Sequence, residues 1–141
     1  MKILVINGPN INMLGIREPD VYGKNSFADL LNLLQETADE LQIEVEQYQS
    51  NHEGAIIDRL HSDGFTADAI ILNAGAYTHT SIAIADAIRS ISAPVIEVHI
   101  SNIYAREDYR RISYIANACR GSILGFGLDS YRLAIEAATH L

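Results

Sequence analysis

Ile3-Leu-Val-Ile-Asn7, followed at once by Gly8-Pro-Asn10, decides the fold of this chain. A short aliphatic, partly β-branched run at the start of an α/β pattern reads as the buried first strand of a parallel sheet. In a dinucleotide-binding fold that strand would feed a G-x-G-x-x-G turn and a helix. Here it feeds an irregular stretch from Gly8 to Asn25 that carries Asn10, Arg17 and Tyr22, and helical periodicity resumes only at Ser26. Loops of this length in compact domains are typically lids or binding loops, so residues 8–25 read as a lid over the sheet edge.

Working outward, strands and helices alternate. Ser26 reads as the N-cap of a helix with Leu30, Leu33, Leu34, Ala38 and Leu41 at helical spacing. Gln42–Tyr48 alternates apolar and polar residues, an edge strand. Asn51–His61 reads as a helix closed by Gly64, and Ala69–Asn73 as a buried central strand. Thr80–Ser90 reads as a helix, Pro94–His99 as a fourth strand, and Glu107–Asn117 as a further helix. Ser122–Gly125 makes a short last strand and Ser130–His140 the closing helix. Five strands alternating with helices predict a flavodoxin-like, doubly wound α/β sandwich with a parallel sheet of order 2-1-3-4-5. The 141 residues read as a single domain, with 48% apolar content enough for a sizeable core.

Composition excludes several partners. A net charge of −8 argues against nucleic acid and anionic membrane surfaces, which attract clustered Lys and Arg. No apolar run approaches a membrane span, and Met1-Lys2 leads into too few apolar residues for a signal peptide. The single cysteine, Cys119, cannot form an internal disulfide and reads as a buried thiol in an intracellular protein. The five histidines show no metal-ligand spacing with carboxylates, and neither a P-loop nor a G-x-S-x-G elbow occurs.

In doubly wound sheets, ligands bind beyond the carboxyl ends of the strands, at the switch point between strands one and three. That edge collects Asn7 and Asn10 from the first strand end, Asn73 and His79 from the third, and Glu97, His99, Ser101, Arg106 and Arg110 from the fourth. Each has an ordinary alternative: Asn73 as a turn former, His79 as a helix cap, His99 as a satisfied interior histidine. Their convergence on one edge favours a site for acid–base chemistry without a cofactor. A catalytically silent module that binds a small polyhydroxy acid is the competing class, and it would use the same pocket.

The motifs Asn7-Gly-Pro-Asn10, Gly15-Ile-Arg17-Glu-Pro19, Tyr22-Gly23, Asn51-His-Glu-Gly54, Asn73-Ala-Gly-Ala-Tyr-Thr-His79-Thr-Ser81 and Glu97-Val-His99-Ile-Ser-Asn102 resemble type II 3-dehydroquinate dehydratase. Ala105-Arg106-Glu107 and the Gly125-Phe-Gly127…Tyr131 tail extend the resemblance over essentially the whole chain. Two places depart from that family's pattern: Ala74 stands where proline is usual, and Tyr109-Arg110-Arg111-Ile112 lacks the paired histidines common there.

The resemblance implies reversible dehydration of 3-dehydroquinate to 3-dehydroshikimate in the shikimate pathway of aromatic amino acid biosynthesis. It implies anti elimination through an enolate, with Tyr22 as base, Arg17 and Arg106 favouring its phenolate, and Asn10 holding the enolate through an ordered water. His99 would protonate the leaving hydroxyl with Glu97 fixing its imidazole. Asn73, His79, Arg110 and the amides of Ile100 and Ser101 would bind substrate. Asp86 would reach a neighbouring subunit's site, implying trimers assembled into a cytoplasmic homododecamer; without the resemblance, Asp86 reads as a solvated helix carboxylate. No cofactor and no metal are implied.

Overall fold

The computed structural model describes residues 1–141. Its strands are β1 (Lys2–Asn7), β2 (Glu44–Gln49), β3 (Ala69–Asn73), β4 (Val95–His99) and β5 (Gly121–Leu124). They form one parallel sheet of order β2-β1-β3-β4-β5, as the alternation of strands and helices predicts. The helices are α1 (Pro19–Tyr22), α2 (Phe27–Leu41), α3 (Glu53–Asp63), α4 (Ile82–Ser90) and α5 (Asp129–Ala138). No helix is long and apolar enough to cross a membrane.

The strand period of two divides the core into two layers. Ile3, Val5 and Ile71 face α2 and α5, packing with Leu30, Leu34, Ala134 and Ile135. Leu4, Ile6 and Leu72 face α3 and α4, packing with Ile56, Leu60, Ile84 and Ile88. Both faces of β1 and β3 are therefore buried, which explains their unbroken apolar runs. Each fully buried Ile or Leu contributes about 1.5–3 kcal/mol relative to exposure. β2 lies at the edge and is only half-buried. Ser26 caps α2 in a reciprocal box: its Oγ accepts from Asp29 N at 3.2 Å, while its own N donates to Asp29 Oδ2 at 2.8 Å.

Two places differ from the sequence reading. Residues 107–117 form no α-helix; short 3-10 turns occupy Asp108–Arg111 and Ala116–Ala118 instead. A surface helix needs an apolar stripe, and here only Ile115 is buried while Tyr109, Ile112 and Tyr114 are exposed. The segment spends its polar groups on other elements, Tyr114 N donating to Thr78 O at 2.8 Å. Gly64 does end α3, but in right-handed conformation. Glycine is required there by crowding, since a Cβ would stand 2.4 Å from both Ile91 Cγ2 and Leu60 O.

At the switch point, Asn7 and Asn73 are register partners at the ends of β1 and β3. Gly8 follows, with its N donating to Asn73 O at 2.7 Å. A Cβ on Gly8 would lie 2.6 Å from Ala74 O, so only glycine lets the two strand ends run this close. The segment from Gly8 to Asn25 then leaves the sheet, containing a 3-10 turn at Ile11–Met13 and the single turn of α1. Ile11 and Leu14 plug its first half into the core. From Ile16 to Asn25 every residue is exposed except Arg17 and Tyr22.

Candidate active site

A cavity of about 130 Å³ opens at the carboxyl ends of β1, β3 and β4, beneath the loop that follows β1. Most residues singled out from sequence line it: Asn10, Arg17, Tyr22, Asn73, His79, His99, Ile100, Ser101, Arg106 and Arg110. Glu97 stands behind His99. Asp86 is apart from the cavity, on the exposed face of α4, 3.6 Å from Arg89.

On the loop wall, α1 begins with Pro19 at its first position, where a missing N–H costs nothing. Its turn brings Tyr22 back toward Arg17. Arg17 Nη2 and Arg106 Nη1 both donate to Tyr22 Oη, at 2.8 and 2.7 Å. The same two guanidinium carbons lie 4.3 and 5.0 Å from the phenol ring centre, near its π face. Glu18 carries its carboxylate 3.4 Å from Arg17 Nη2 and 3.6 Å from Arg106 Nη2. Arg106 Nη2 is buried and makes no hydrogen bond. Asn10 takes a left-handed conformation at φ 69°, and its N donates to Asn51 Oδ1 at 3.0 Å.

The strand wall is buried. Glu97 and His99 lie two residues apart on β4 and so project to the same face, with His99 Nε2 bonded to Glu97 Oε2 at 2.6 Å. Ser113 Oγ donates to Glu97 Oε2 at 2.9 Å and Ser122 Oγ to Glu97 Oε1 at 3.0 Å. Burial alone would raise the Glu97 carboxyl, but donation from His99, Ser113 and Ser122 outweighs it and holds the group below the usual carboxylate range. With Nε2 committed to Glu97, Nδ1 is the His99 nitrogen left for a ligand. His79 bonds through Nδ1 to Ile112 O at 2.7 Å, its ring stacked 6.4 Å from that of His99. Desolvation lowers His79 below the ordinary histidine value and favours its neutral form.

Ser113 and Ser122 were missed from sequence. Ser122 had a usable signal, because the sheet order sets it beside Glu97 and the two are register partners. Ser113 had none, since it falls in the stretch read as a helix. Cys119 is no nucleophile at neutral pH: burial and the Glu97 carboxylate push its thiol up to about 12. No group of three or more His, Cys, Asp or Glu side chains is gathered in a way that could hold a metal ion.

The family model for class II dehydroquinase matches residues 1–139. A 3-dehydroquinate dehydratase of Caldicellulosiruptor bescii is 58% identical over 137 residues, covering 96% of this chain and 94% of the relative. Another, from an Exiguobacterium species, is 59% identical over 137 residues, covering 97% and 93%. The crystal structure of type II dehydroquinase from Butyrivibrio crossotus superposes with a TM-score of 0.96 at 52% identity, over 99% of this chain and 97% of that one. A cavity walled by a doubly bonded tyrosine and a buried Glu–His pair thus sits in a chain whose sequence and fold agree over nearly their full length with one enzyme family: the chain belongs to the class II dehydroquinases.

Proposed function

We propose that this chain is a 3-dehydroquinate dehydratase of the shikimate pathway, a single catalytic domain working without a cofactor, with residues 8–25 as its lid. The observation that carries this reading is the phenol oxygen of Tyr22, which accepts from two guanidinium groups at the wall of a cavity also lined by His99.

The reaction removes a proton α to a ketone and then expels the β-hydroxyl. A phenol becomes a base only as phenolate, and two cationic donors 2.8 and 2.7 Å from its oxygen stabilise that negative charge. Tyr22 takes the proton, and the electron pair moves onto the ketone oxygen. Asn10 holds the resulting enolate through an ordered water. When the enolate collapses, the carbon–oxygen bond to the leaving hydroxyl breaks anti to the abstracted proton. His99 donates a proton from Nδ1 to that oxygen, releasing water. Glu97 keeps Nε2–H engaged and offsets the charge of the protonated ring.

Asn73, His79, Arg110 and the amides of Ile100 and Ser101 hold the substrate, with the amides serving its carboxylate. Asp86, exposed on α4, serves the site of a neighbouring copy in a trimer, and four trimers form a cytoplasmic dodecamer. The purified chain should raise absorbance in the ultraviolet when given dehydroquinate, as the conjugated enone forms. Substrate binding with no absorbance rise would instead make it a silent binding module.

A further inference from the structure

Behind the cavity wall lies a buried hydrogen-bond chain that the mechanism above does not use. Tyr131, on the first turn of α5, is fully buried in the core layer facing β1 and β3. Its hydroxyl reaches the two asparagines that end those strands. Tyr131 Oη donates to Asn7 Oδ1 at 2.6 Å and accepts from Asn73 Nδ2 at 2.8 Å. Asn7 Nδ2 in turn donates to Gln47 Oε1 at 3.1 Å, and Gly75 N donates to Asn73 Oδ1 at 3.1 Å.

A phenol has one proton, so the direction of this chain is determined. Gly75 N–H can only donate, so Asn73 turns Oδ1 to it and Nδ2 to the phenol, and Asn7 in turn offers Oδ1 to Tyr131 and Nδ2 to Gln47. Tyr131 therefore gives its proton to Asn7 and can only accept from Asn73. One Nδ2 hydrogen remains for the cavity that Asn73 lines. Burial pushes the Tyr131 phenol well above the ordinary tyrosine value, so the proton stays in place across the working range.

We infer that Tyr131 is a positioning residue: its oxygen accepts from Asn73 Nδ2 while Gly75 N–H holds Oδ1, and the two anchors together fix the amide plane and so aim the remaining Asn73 N–H at a substrate oxygen. This rests on the reading of Asn73 as a substrate-binding residue. Without the phenol oxygen, Asn73 Nδ2 and Asn7 Oδ1 both lose their shared partner in a dry site. Held by Gly75 N–H alone, the Asn73 amide can then swing about that bond and misdirect the N–H that meets the substrate.

A double-mutant cycle with dehydroquinate as substrate tests this. Tyr131→Phe should raise KM about tenfold, the worth of one misdirected hydrogen bond, and change kcat much less. In an Asn73→Ala background the same substitution should change KM by less than about twofold, because there is no amide left to orient. Asn7→Leu supplies a second route should Tyr131→Phe fail to fold: it frees the phenol proton while leaving Tyr131 and Asn73 in place, and its KM effect should also vanish in the Asn73→Ala background. If the losses multiply, or if Tyr131→Phe leaves KM unchanged, Tyr131 is only a packing residue. A wild-type chain inactive on dehydroquinate overturns the functional reading itself, and this inference with it.

Discussion

The two walls of the cavity hold their chemistry in opposite ways. Tyr22 sits on a loop whose residues from Ile16 to Asn25 are exposed apart from itself and Arg17, and its oxygen is held by two charged donors. His99 sits on a central strand, 5% exposed, and is held by a carboxylate that two serines hold in turn. Ile11 and Leu14 anchor the first half of the loop in the core, while from Ile16 to Asn25 Tyr22 packs against that core and the rest of the wall rests on charge. The strand wall depends on burial and hydrogen bonds. The proposed mechanism puts its base on the charged loop side and its acid on the buried strand side.

The sharpest way to break this division is Tyr22→Phe. The ring can keep its contacts with both guanidinium groups, but the oxygen proposed as the base is gone. Turnover should fall about 10²–10⁴-fold with substrate still bound. A variant with near wild-type turnover would remove the base from the loop wall.

A smaller effect is expected on the strand wall from Glu97→Gln. The amide can turn its nitrogen to Ser122, whose hydroxyl can accept, and keep its oxygen for His99 and Ser113. A charge-assisted bond becomes a neutral one, which costs about tenfold in turnover. Stability should also respond to pH. The folded Glu97 titrates below its unfolded value, so its contribution is fully present above about pH 4.3 and is lost as pH falls through the folded value. The melting temperature of the wild type should exceed that of the variant at neutral pH, with the gap closing below about pH 4. A gap independent of pH would mean that Glu97 is not held as an anion.

The smallest effect should come from stripping metals. Chelation and dialysis should leave turnover unchanged, and borohydride added with substrate should trap nothing on Lys24, the lysine between α1 and α2. Covalent capture there would replace the enolate with an imine.

The fold was legible because β1 and β3 are buried on both faces, leaving aliphatic runs that no surface element would carry. The strand order followed from the regular alternation with helices. The stretch 107–117 was misread because its charged and aromatic residues scatter, and only Ile115 reaches the core. In the site, Glu97 and His99 were legible as an i, i+2 pair on one strand, and Tyr22 with Arg17 as loop residues beyond a strand end. Ser113 was not legible, because its bond to Glu97 depends on an irregular path that no periodicity records. Asp86 stays apart from the cavity within one chain, and a role for it requires a second copy.

The division of labour between the walls is tested most directly by His99→Ala in deuterated water. With the loop base intact and the acid removed, dehydroquinate recovered from the reaction should carry deuterium at the carbon α to the ketone while no enone forms. Loss of exchange together with elimination would contradict the account, since His99 would then serve the first step or hold the substrate, and the separate assignment of base and acid would fail.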